Sequence, residues 1–437
     1  MPYNSHNNVL IENLSHDGRG ICHIDGKITF VANALPSEIV ELKIIKRKNK
    51  FNEAIANKIN SSSVDRVTPK CDFYTLCGGC SLQHLAPKAQ ILHKQKALLE
   101  QLQHFANVQP KQILSPLYGP SYGYRHKARL SVRFVKKKNR VLVGFREKQS
   151  HYVCEMSHCD VLKPEISDLI MPLRELITNL SNKESIAQIE VAADAEKLCL
   201  VLRNLTAFTR QDIQALKNFA ANYRIHLYIQ PGDYDSIELV YPEAKTTLLK
   251  QTLVNYQLEL FYQPIEFSQV NPYINEKMIQ QALGLLQVKT DERVLDFFCG
   301  FGNFTLPLAR QAEQVIGIEA NEKAIKRAKM NAEHNQLSNV EFHAADLRLD
   351  QQHRAWTQGK FAKILLDPPR SGALELLPLI AKLNPQRIVY VSCNPATLAR
   401  DIGKLVHEHQ YQLDTIGIMD MFANTSHIES MALLTKN

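Results

Sequence analysis

Residues 293–309 read RVLDFFCGFGNFTLPLA, and this stretch decides the fold. RVLDFF is an apolar run that predicts a buried strand, and TLPLARQA after it predicts a helix. Gly300 and Gly302 lie between them, where glycine allows a sharp turn and a close approach of the backbone to a ligand. A dinucleotide-binding turn would have a third glycine at position 305, but Thr305 stands there, so a pyrophosphate-bearing cofactor is not favoured.

The segments that follow alternate between buried strand and helix. QVIGIE, VEFHAAD, AKILLDPP and RIVYVS predict strands, and NEKAIKRAKMNAEHNQ predicts a helix. This rhythm predicts an α/β domain with a doubly wound parallel sheet over residues 265–437. Glu319, Asp346, Asp367 and Cys393 come at or just after the ends of successive strands. We therefore expect them at one edge of the sheet, where ligands bind in such folds.

The glycine turn and the two acids after it resemble the S-adenosylmethionine site of class I methyltransferases. Glu319 is placed to hold ribose hydroxyls and Asp346 to hold the adenine amino group. Asp367-Pro368-Pro369-Arg370 resembles the signature of amino-group methyltransferases, but Arg370 replaces the aromatic residue that stacks on the target base. A chance glycine turn is the alternative interpretation.

Several longer motifs resemble those of the RNA uracil-5 methyltransferase family. They are FSQVNP (267–272), LDFFCGFGNFTLPLA (295–309), DPPRSG (367–372), IVYVSCNPAT (388–397) and DMFANTSHIESM (420–431). Uracil C5 becomes nucleophilic only after a thiolate adds to C6, and a base must later remove the C5 proton. The resemblance implies that Cys393 is the nucleophile and Glu429 the base. A cysteine that is merely buried at a strand end is the competing interpretation.

The same resemblance implies a class I, Rossmann-like methyltransferase domain with S-adenosylmethionine as methyl donor. Asp346 stands where a relative has asparagine, so its hydrogen bonding would differ. The residues that the resemblance implies for the cofactor and uracil pockets are Gln269, Phe298, Gly300, Asn303, Glu319, Asp346 and Asp367.

Three of the nine cysteines lie close together in CDFYTLCGGC, at positions 71, 77 and 80. Cys154 and Cys159 are both available as a fourth ligand, and spacing alone leaves zinc and an iron–sulfur cluster open. The resemblance to the members that modify 23S ribosomal RNA implies a 4Fe–4S cluster held by Cys71, Cys77, Cys80 and Cys159. The tRNA-directed relatives lack this cluster.

The first sixty residues predict short strands with alternating apolar positions and a hairpin turn at Asp25-Gly26. They indicate a small β-barrel that resembles the RNA-binding TRAM domain. A polar linker follows at residues 60–70. We therefore expect three domains: a barrel at 1–60, a mixed α+β domain with the cysteine site at 61–264, and the methyltransferase domain at 265–437.

Basic residues are concentrated although the net charge is only +8. Residues 121–150, here called the basic ribbon, hold ten Lys or Arg and one acid, Glu147. Arg125, Arg129 and Arg133 would share one face of a strand, and interleaved aromatic residues suit RNA. A second cluster occupies residues 43–50. A solvated strand face explains either cluster alone, but two basic clusters in one chain favour a polyanionic binding partner.

The combined features imply methylation of a uridine in 23S ribosomal RNA, and the barrel indicates the members that act at position 1939. We expect a cytoplasmic monomer without signal peptide or membrane span. Methylation of another RNA, at a different 23S site or in tRNA, is an alternative. An RNA-binding iron–sulfur module without catalysis is another. A methylthiotransferase would need a Cys-x3-Cys-x2-Cys motif, which the sequence lacks.

Overall fold

The computed structural model describes residues 5–243 and 247–436. Residues 1–4 lie outside these ranges, and so does that part of the expectation that the N-terminus holds no signal peptide. Within them, no helix is both long and apolar enough to cross a membrane. The strands form a six-stranded sheet near the N-terminus, a second six-stranded sheet, a two-stranded hairpin and an eight-stranded sheet.

The N-terminal sheet closes into a barrel. Its order is β1-β5-β6-β4-β3-β2, so its two edges are neighbours along the chain. Ile11 N donates to the Glu38 carbonyl at 2.9 Å, beside β5, and Glu12 N donates to the Ile21 carbonyl at 2.8 Å, in β3, so the residues between β1 and β2 bond to both sides of the sheet. The predicted barrel is confirmed. Its strands are β1 Ser5–Leu10, β2 Asn13–Leu14, β3 Gly20–Ile24, β4 Lys27–Ala32, β5 Ile39–Arg47 and β6 Asn52–Ser61.

The middle of the chain contains the second sheet, of order β13-β12-β11-β10-β8-β9, and the hairpin β14–β15. The elements of this region are α1 Pro87–Ala106, β7 Gln112–Ile113, β8 Lys127–Val135, β9 Arg140–Gly144, α2 Pro164–Ser167, α3 Ile170–Asn179, β10 Ile186–Ala193, β11 Leu198–Asn204, α4 Arg210–Tyr223, β12 His226–Gln230, β13 Glu238–Tyr241, β14 Leu249–Leu253 and β15 Leu258–Tyr262.

The C-terminal sheet confirms the predicted α/β architecture. Its order is β18-β17-β16-β19-β20-β22-β21-β7. The first five of these strands are parallel, and β22 runs antiparallel between β20 and β21. The elements are α5 Pro272–Leu286, β16 Arg293–Phe297, α6 Thr305–Ala309, β17 Gln314–Glu319, α7 Glu322–His334, β18 Val340–Ala344, β19 Lys363–Leu366, α8 Leu377–Leu383, β20 Arg387–Ser392, α9 Pro395–His409, β21 Tyr411–Met419 and β22 Glu429–Lys436.

Strand order reverses between β16 and β19, so the loop after β16 lies at the switch point where such sheets bind ligands. Apolar side chains of both strands are buried on both faces of the sheet: Val294 and Leu365 on one face, Leu295 and Ile364 on the other. Helix α1 and strand β7 lie within the predicted 61–264 segment but pack on this sheet. β7 pairs with β21. α1 lies against α9, so closely that a Cβ atom added to Gly403 would be 3.3 Å from Ala106.

Candidate active site

The glycine turn after β16 adopts left-handed backbone conformations. φ is +66° at Phe298, +54° at Gly300 and +102° at Gly302. A side chain at Gly300 would meet no atom within 4 Å, so the glycine opens onto free space rather than onto packed atoms. The left-handed Phe298 is costly for an aromatic residue, and such strain is concentrated at functional sites. Its peptide NH donates to the Ile318 carbonyl at 2.8 Å, which holds the turn against β17.

A buried carboxyl lies directly below this turn. Asp296 is fully buried, and its Oδ2 accepts a hydrogen bond of 2.5 Å from Thr305 Oγ1, whereas Oδ1 has no partner in the described residues. Burial, with Asp367 and Glu319 nearby, raises the pKa of Asp296 to about 7. Burial likewise raises the pKa of Asp367 to about 7. Sequence reasoning missed Asp296, although an acid inside a buried strand was visible.

Glu319 and Asp346 lie at adjacent strand ends, as the sequence predicted. Ala345 N donates to the Glu319 carbonyl at 3.0 Å, and Asn321 N donates to Glu319 Oε1 at 2.9 Å. The Asp346 carboxylate is held by Arg348, at 2.7 Å between Oδ2 and the guanidinium. Hydrogen bonding by Arg348 lowers the pKa of Asp346 to about 2. Arg348 therefore competes with any ligand for this carboxylate.

Asn303 is fixed by a small amide network that sequence reasoning missed. Its Oδ1 accepts from Asn275 Nδ2 at 3.0 Å and from Gln251 Nε2 at 2.9 Å, and its Nδ2 donates to Asn275 Oδ1 at 2.9 Å. Gln269 is half-buried just before α5, two residues after the exposed Phe267. Gln251 comes from the hairpin and Asn275 from α5, so only the folded chain brings them to the turn.

Cys393 and Glu429 lie next to the last residue pair of β20 and β22. These strands are antiparallel with Ser392 opposite Ser430; Cys393 directly follows Ser392, and Glu429 directly precedes Ser430. Ser430 Oγ donates to the Ser392 carbonyl at 3.1 Å and closes the pair of strands at this end. Cys393 is partly exposed, whereas Glu429 is buried. The thiol is thus accessible from solvent, whereas the carboxyl is not.

The electrostatics of these two groups follow from burial and from nearby charges. Burial, then Glu429 and Asp367, raise the pKa of Cys393. Burial and Asp367 raise the pKa of Glu429 to about 8, while Arg370 and Lys94 act in the opposite direction. Sequence reasoning did not assign Arg370 or Lys94 to the site. Both cations therefore favour the ionised form of Glu429 that burial disfavours.

The four cysteines predicted as ligands line one pocket, together with residues that include Tyr74, Gln83, Arg125 and Phe145. All four are buried, and burial raises the pKa of Cys80 to about 11 and of Cys159 to about 12. A Cβ atom at Gly78 would lie 3.0 Å from the Arg146 carbonyl oxygen, a tight contact that glycine avoids. Cys154 is fully buried beside Cys77 but does not line the pocket.

The cysteines do not surround a single point. Over residues 5–243 and 247–436, no group of three or more His, Cys, Asp or Glu side chains is arranged to hold one metal ion. Four thiolates on one zinc must each approach the ion to about 2.3 Å. A 4Fe–4S cluster is likewise held by four Cys thiolates.

The basic ribbon forms β8, β9 and the turn between them. Alternation along β8 exposes Arg129 and Arg133 on one face, while Leu130 and Val132 are buried on the other. Glu190 pairs with Arg129 at 2.8 Å, yet the arginine side chain stays 61% exposed. Arg125 instead points toward the cysteine pocket, which it lines. The predicted exposed basic face is confirmed for Arg129 and Arg133.

The fold and the cleft at its switch point are those of a class I, Rossmann-like methyltransferase. The family model described as tRNA (Uracil-5-)-methyltransferase matches residues 87–437, and the TRAM domain model matches residues 5–56. This chain belongs to the uracil-5-methyltransferase family.

Curated relatives resemble the chain over nearly its full length. One from Alcanivorax borkumensis is 46% identical, covering 98% of this chain and 96% of the relative. One from Alkalilimnicola ehrlichii is 47% identical with the same coverage. Both are named 23S rRNA (uracil(1939)-C(5))-methyltransferase RlmD. The crystal structure of the Pyrococcus abyssi tRNA (uracil-54, C5)-methyltransferase has the same fold, with a TM-score of 0.73, 24% identity and coverage of 98% and 100%.

Proposed function

We propose that the protein transfers a methyl group from S-adenosylmethionine to C5 of a uridine in 23S ribosomal RNA. The target proposed is the position that the relatives' name gives, 1939. The observation that carries the proposal is the Ser392–Ser430 pair of β20 and β22, which brings Glu429 and the partly exposed thiol of Cys393 to the same end of these strands. An RNA-binding module without catalysis would have no use for this pair.

The cleft at the glycine turn suits the methyl donor. Gly300 opens onto free space, and Asp296 leaves a buried oxygen without a partner among the described residues. A cationic donor beside these carboxyls would stabilise their ionised forms and lower their pKa values. In this proposal the residues around the donor are Gln269, Phe298, Gly300, Asn303, Glu319, Asp346 and Asp367.

The proposed reaction divides the work between the thiol and the carboxyl. The Cys393 thiolate forms a bond to uracil C6, and the electron pair of the C5–C6 double bond moves into the enolate. C5 then forms its bond to the methyl group, and the donor sulfur leaves with the electron pair as a neutral thioether. The Glu429 carboxylate takes the proton from C5. The double bond re-forms as the C6–sulfur bond breaks, which frees Cys393.

The proposal is tested by finding which nucleoside is methylated in which RNA. Purified protein and S-adenosylmethionine labelled on the methyl group are incubated separately with unmodified 23S rRNA and with unmodified tRNA. Nucleoside digests should contain labelled 5-methyluridine from 23S rRNA only, and a fragment around position 1939 should retain the label. Label in tRNA alone would move the target to another RNA, and label in another nucleoside would refute C5 chemistry.

We also propose that Cys71, Cys77, Cys80 and Cys159 hold a 4Fe–4S cluster. The support is that all four line one pocket. Two positive charges favour thiolates at this site: Lys148 lies near the cysteines, and Arg125 lines their pocket. Protein purified without oxygen should contain iron and sulfide at about four each per chain.

Cys159→Ser should lower the iron content, whereas Cys154→Ser should leave it unchanged. The physical reason is that Cys159 lines the pocket and Cys154 does not. Iron and sulfide assays with the visible absorption spectrum measure both variants. Loss of iron only in Cys154→Ser would make Cys154 the fourth ligand in place of Cys159. One zinc ion per chain without sulfide would refute the cluster.

The basic ribbon is proposed to contact RNA phosphates. Replacing exposed Arg133 and Lys137 by Gln should reduce the slope of log affinity against log salt, by roughly 0.7 to 0.9 for each phosphate that is no longer neutralised. The measurement is RNA binding at several salt concentrations. Lys326→Gln with Lys329→Gln, an equal loss of charge on the exposed face of α7, is the control. Equal slopes for both double variants would make the ribbon a solvated face.

A further inference from the structure

The position of Glu429 depends on the connection between β21 and β22, residues 420–428. Glu429 is the first residue of β22 and pairs with Met419, the last residue of β21. The connection itself contains turns rather than regular structure. Whatever holds residues 420–428 therefore controls where the Glu429 carboxyl lies.

Asn424 is the most heavily bonded residue described in this connection. It is 1% exposed, and its backbone is left-handed with φ of +65°, a conformation that asparagine tolerates better than most residues. Its side chain donates to the Ser121 carbonyl at 2.7 Å and accepts from Gln90 at 3.2 Å. Its peptide NH donates to Gln90 Oε1 at 2.9 Å, and its carbonyl accepts from Ser81 N and Leu82 N, both at 3.0 Å.

Residues on either side of Asn424 bind the same surface. Ser426 N donates to Ser81 Oγ at 2.8 Å, and Tyr124 OH donates to the Ala423 carbonyl at 2.9 Å. Ser81 directly follows Cys80, a residue of the cysteine pocket. The connection thus rests on the chain segment that forms this pocket, and not on the methyltransferase sheet alone.

A buried ion pair fixes the first part of the connection. Lys94 on α1 is 1% exposed, and its Nζ lies 2.7 Å from Asp420 Oδ1 and donates to the Phe422 carbonyl at 3.0 Å. Asp420 is itself buried, and its NH donates to the Leu117 carbonyl at 2.7 Å. A buried charge pair with these extra hydrogen bonds holds one geometry.

Cys393 is held by different contacts. It follows β20, and the next residue, Asn394, donates from its side chain to the Arg370 carbonyl at 2.9 Å. Asn394 also caps α9 through Ala396 N. A shift of residues 420–428 can therefore move Glu429 while the thiol stays in place.

We infer that Asn424 is a positioning residue for Glu429, which it holds near Cys393 by binding residues 420–428 to the segment that follows the cysteine pocket. This inference rests on the proposed function, in which Glu429 acts only after methyl transfer. Loosening the connection should therefore slow the release of Cys393 and leave addition and methyl transfer intact. A general loss of structure would instead lower every step.

Asn424→Gly tests this directly, because glycine keeps the left-handed backbone and removes only the side-chain bonds. A misplacement near 1 Å costs about 10-fold to 100-fold, so elimination should slow by that factor. The covalent protein–RNA adduct should then become visible on a denaturing gel during turnover, with an unchanged rate of single-turnover methyl transfer. Asn384→Gly is the matched control, since Asn384 is also left-handed but exposed at the end of α8, and it should show wild-type adduct levels.

Tyr124→Phe is the second variant, and it removes only the hydroxyl that binds the Ala423 carbonyl. This smaller change keeps the test valid if Asn424→Gly unfolds at a lower temperature than the wild type. It should raise the adduct level less than Asn424→Gly does. If Glu429→Gln traps adduct and neither of these variants does, the inference is overturned and the proposed function stands. If Glu429→Gln traps none, the proposed role of Glu429 fails first, and the positioning role is overturned with it.

Discussion

Cys393→Ala should abolish methyl transfer to RNA, with a loss of at least about 10⁴-fold, as for other enzymes that lose their nucleophile. Without the thiol no bond forms at C6, and C5 keeps the low reactivity of an aromatic carbon. The acidic groups near Cys393, Glu429 and Asp367, are carboxyls and cannot supply the thiolate that adds to C6. The measurement is the transfer of labelled methyl groups to 23S rRNA in a single turnover.

Binding of the methyl donor should survive this change. The residues of the glycine turn lie between β16 and α6, beside β17, so removal of one sulfur after β20 leaves them in place. Cys22→Ala, a buried cysteine of the barrel, is the matched control and should retain activity. Methyl transfer by Cys393→Ala at more than a tenth of the wild-type rate would exclude covalent catalysis by this residue.

Glu429→Gln should stop the reaction at the methylated covalent adduct between Cys393 and the RNA. Glutamine has nearly the shape of glutamate but cannot accept the C5 proton, so addition and methyl transfer proceed while elimination stops. Burial raises the pKa of Glu429 to about 8, so the carboxyl gains or loses its proton near neutral pH. A slow-migrating protein–RNA band that carries the labelled methyl group should accumulate on a denaturing gel.

The double variant Glu429→Gln with Cys393→Ala should show no such band, which proves that the sulfur forms the bond. Glu408→Gln, on the exposed side of α9, is the control for the loss of one carboxylate. Normal turnover by Glu429→Gln would assign proton removal to another residue. A band without the methyl group would mean that the carboxyl is needed before methyl transfer.

The parallel sheet and its ligand edge were predictable because the signal is local. Apolar runs such as IVYV in β20 are buried on both faces, and the glycine turn follows β16 directly. Glu319, Asp367 and Cys393 could be placed because parallel strands end at one edge. The roles assigned to Asp346 and to the other cofactor residues remain predictions, and Arg348 now competes for Asp346.

The supporting contacts could not be predicted, because they join residues that are far apart in the chain. The insertion of β22 between β20 and β21 is a long-range pairing without a local pattern, and it brings Glu429 to the end of β20 that Cys393 follows. Lys94 reads as a polar position of an ordinary helix, yet it is buried against Asp420. Only the packing of α1 on the methyltransferase sheet makes its role visible.

Release of tritium from RNA labelled at uridine C5 tests the central claim most directly. C5 methylation through a Cys393 adduct must replace the C5 hydrogen, so one tritium should pass to water for each methyl group transferred. Cys393→Ala should release none, and Glu429→Gln should transfer methyl groups while the tritium stays on the adduct. Methyl transfer by the wild-type protein with the tritium retained would contradict the claim, because the methyl group would then be on another atom.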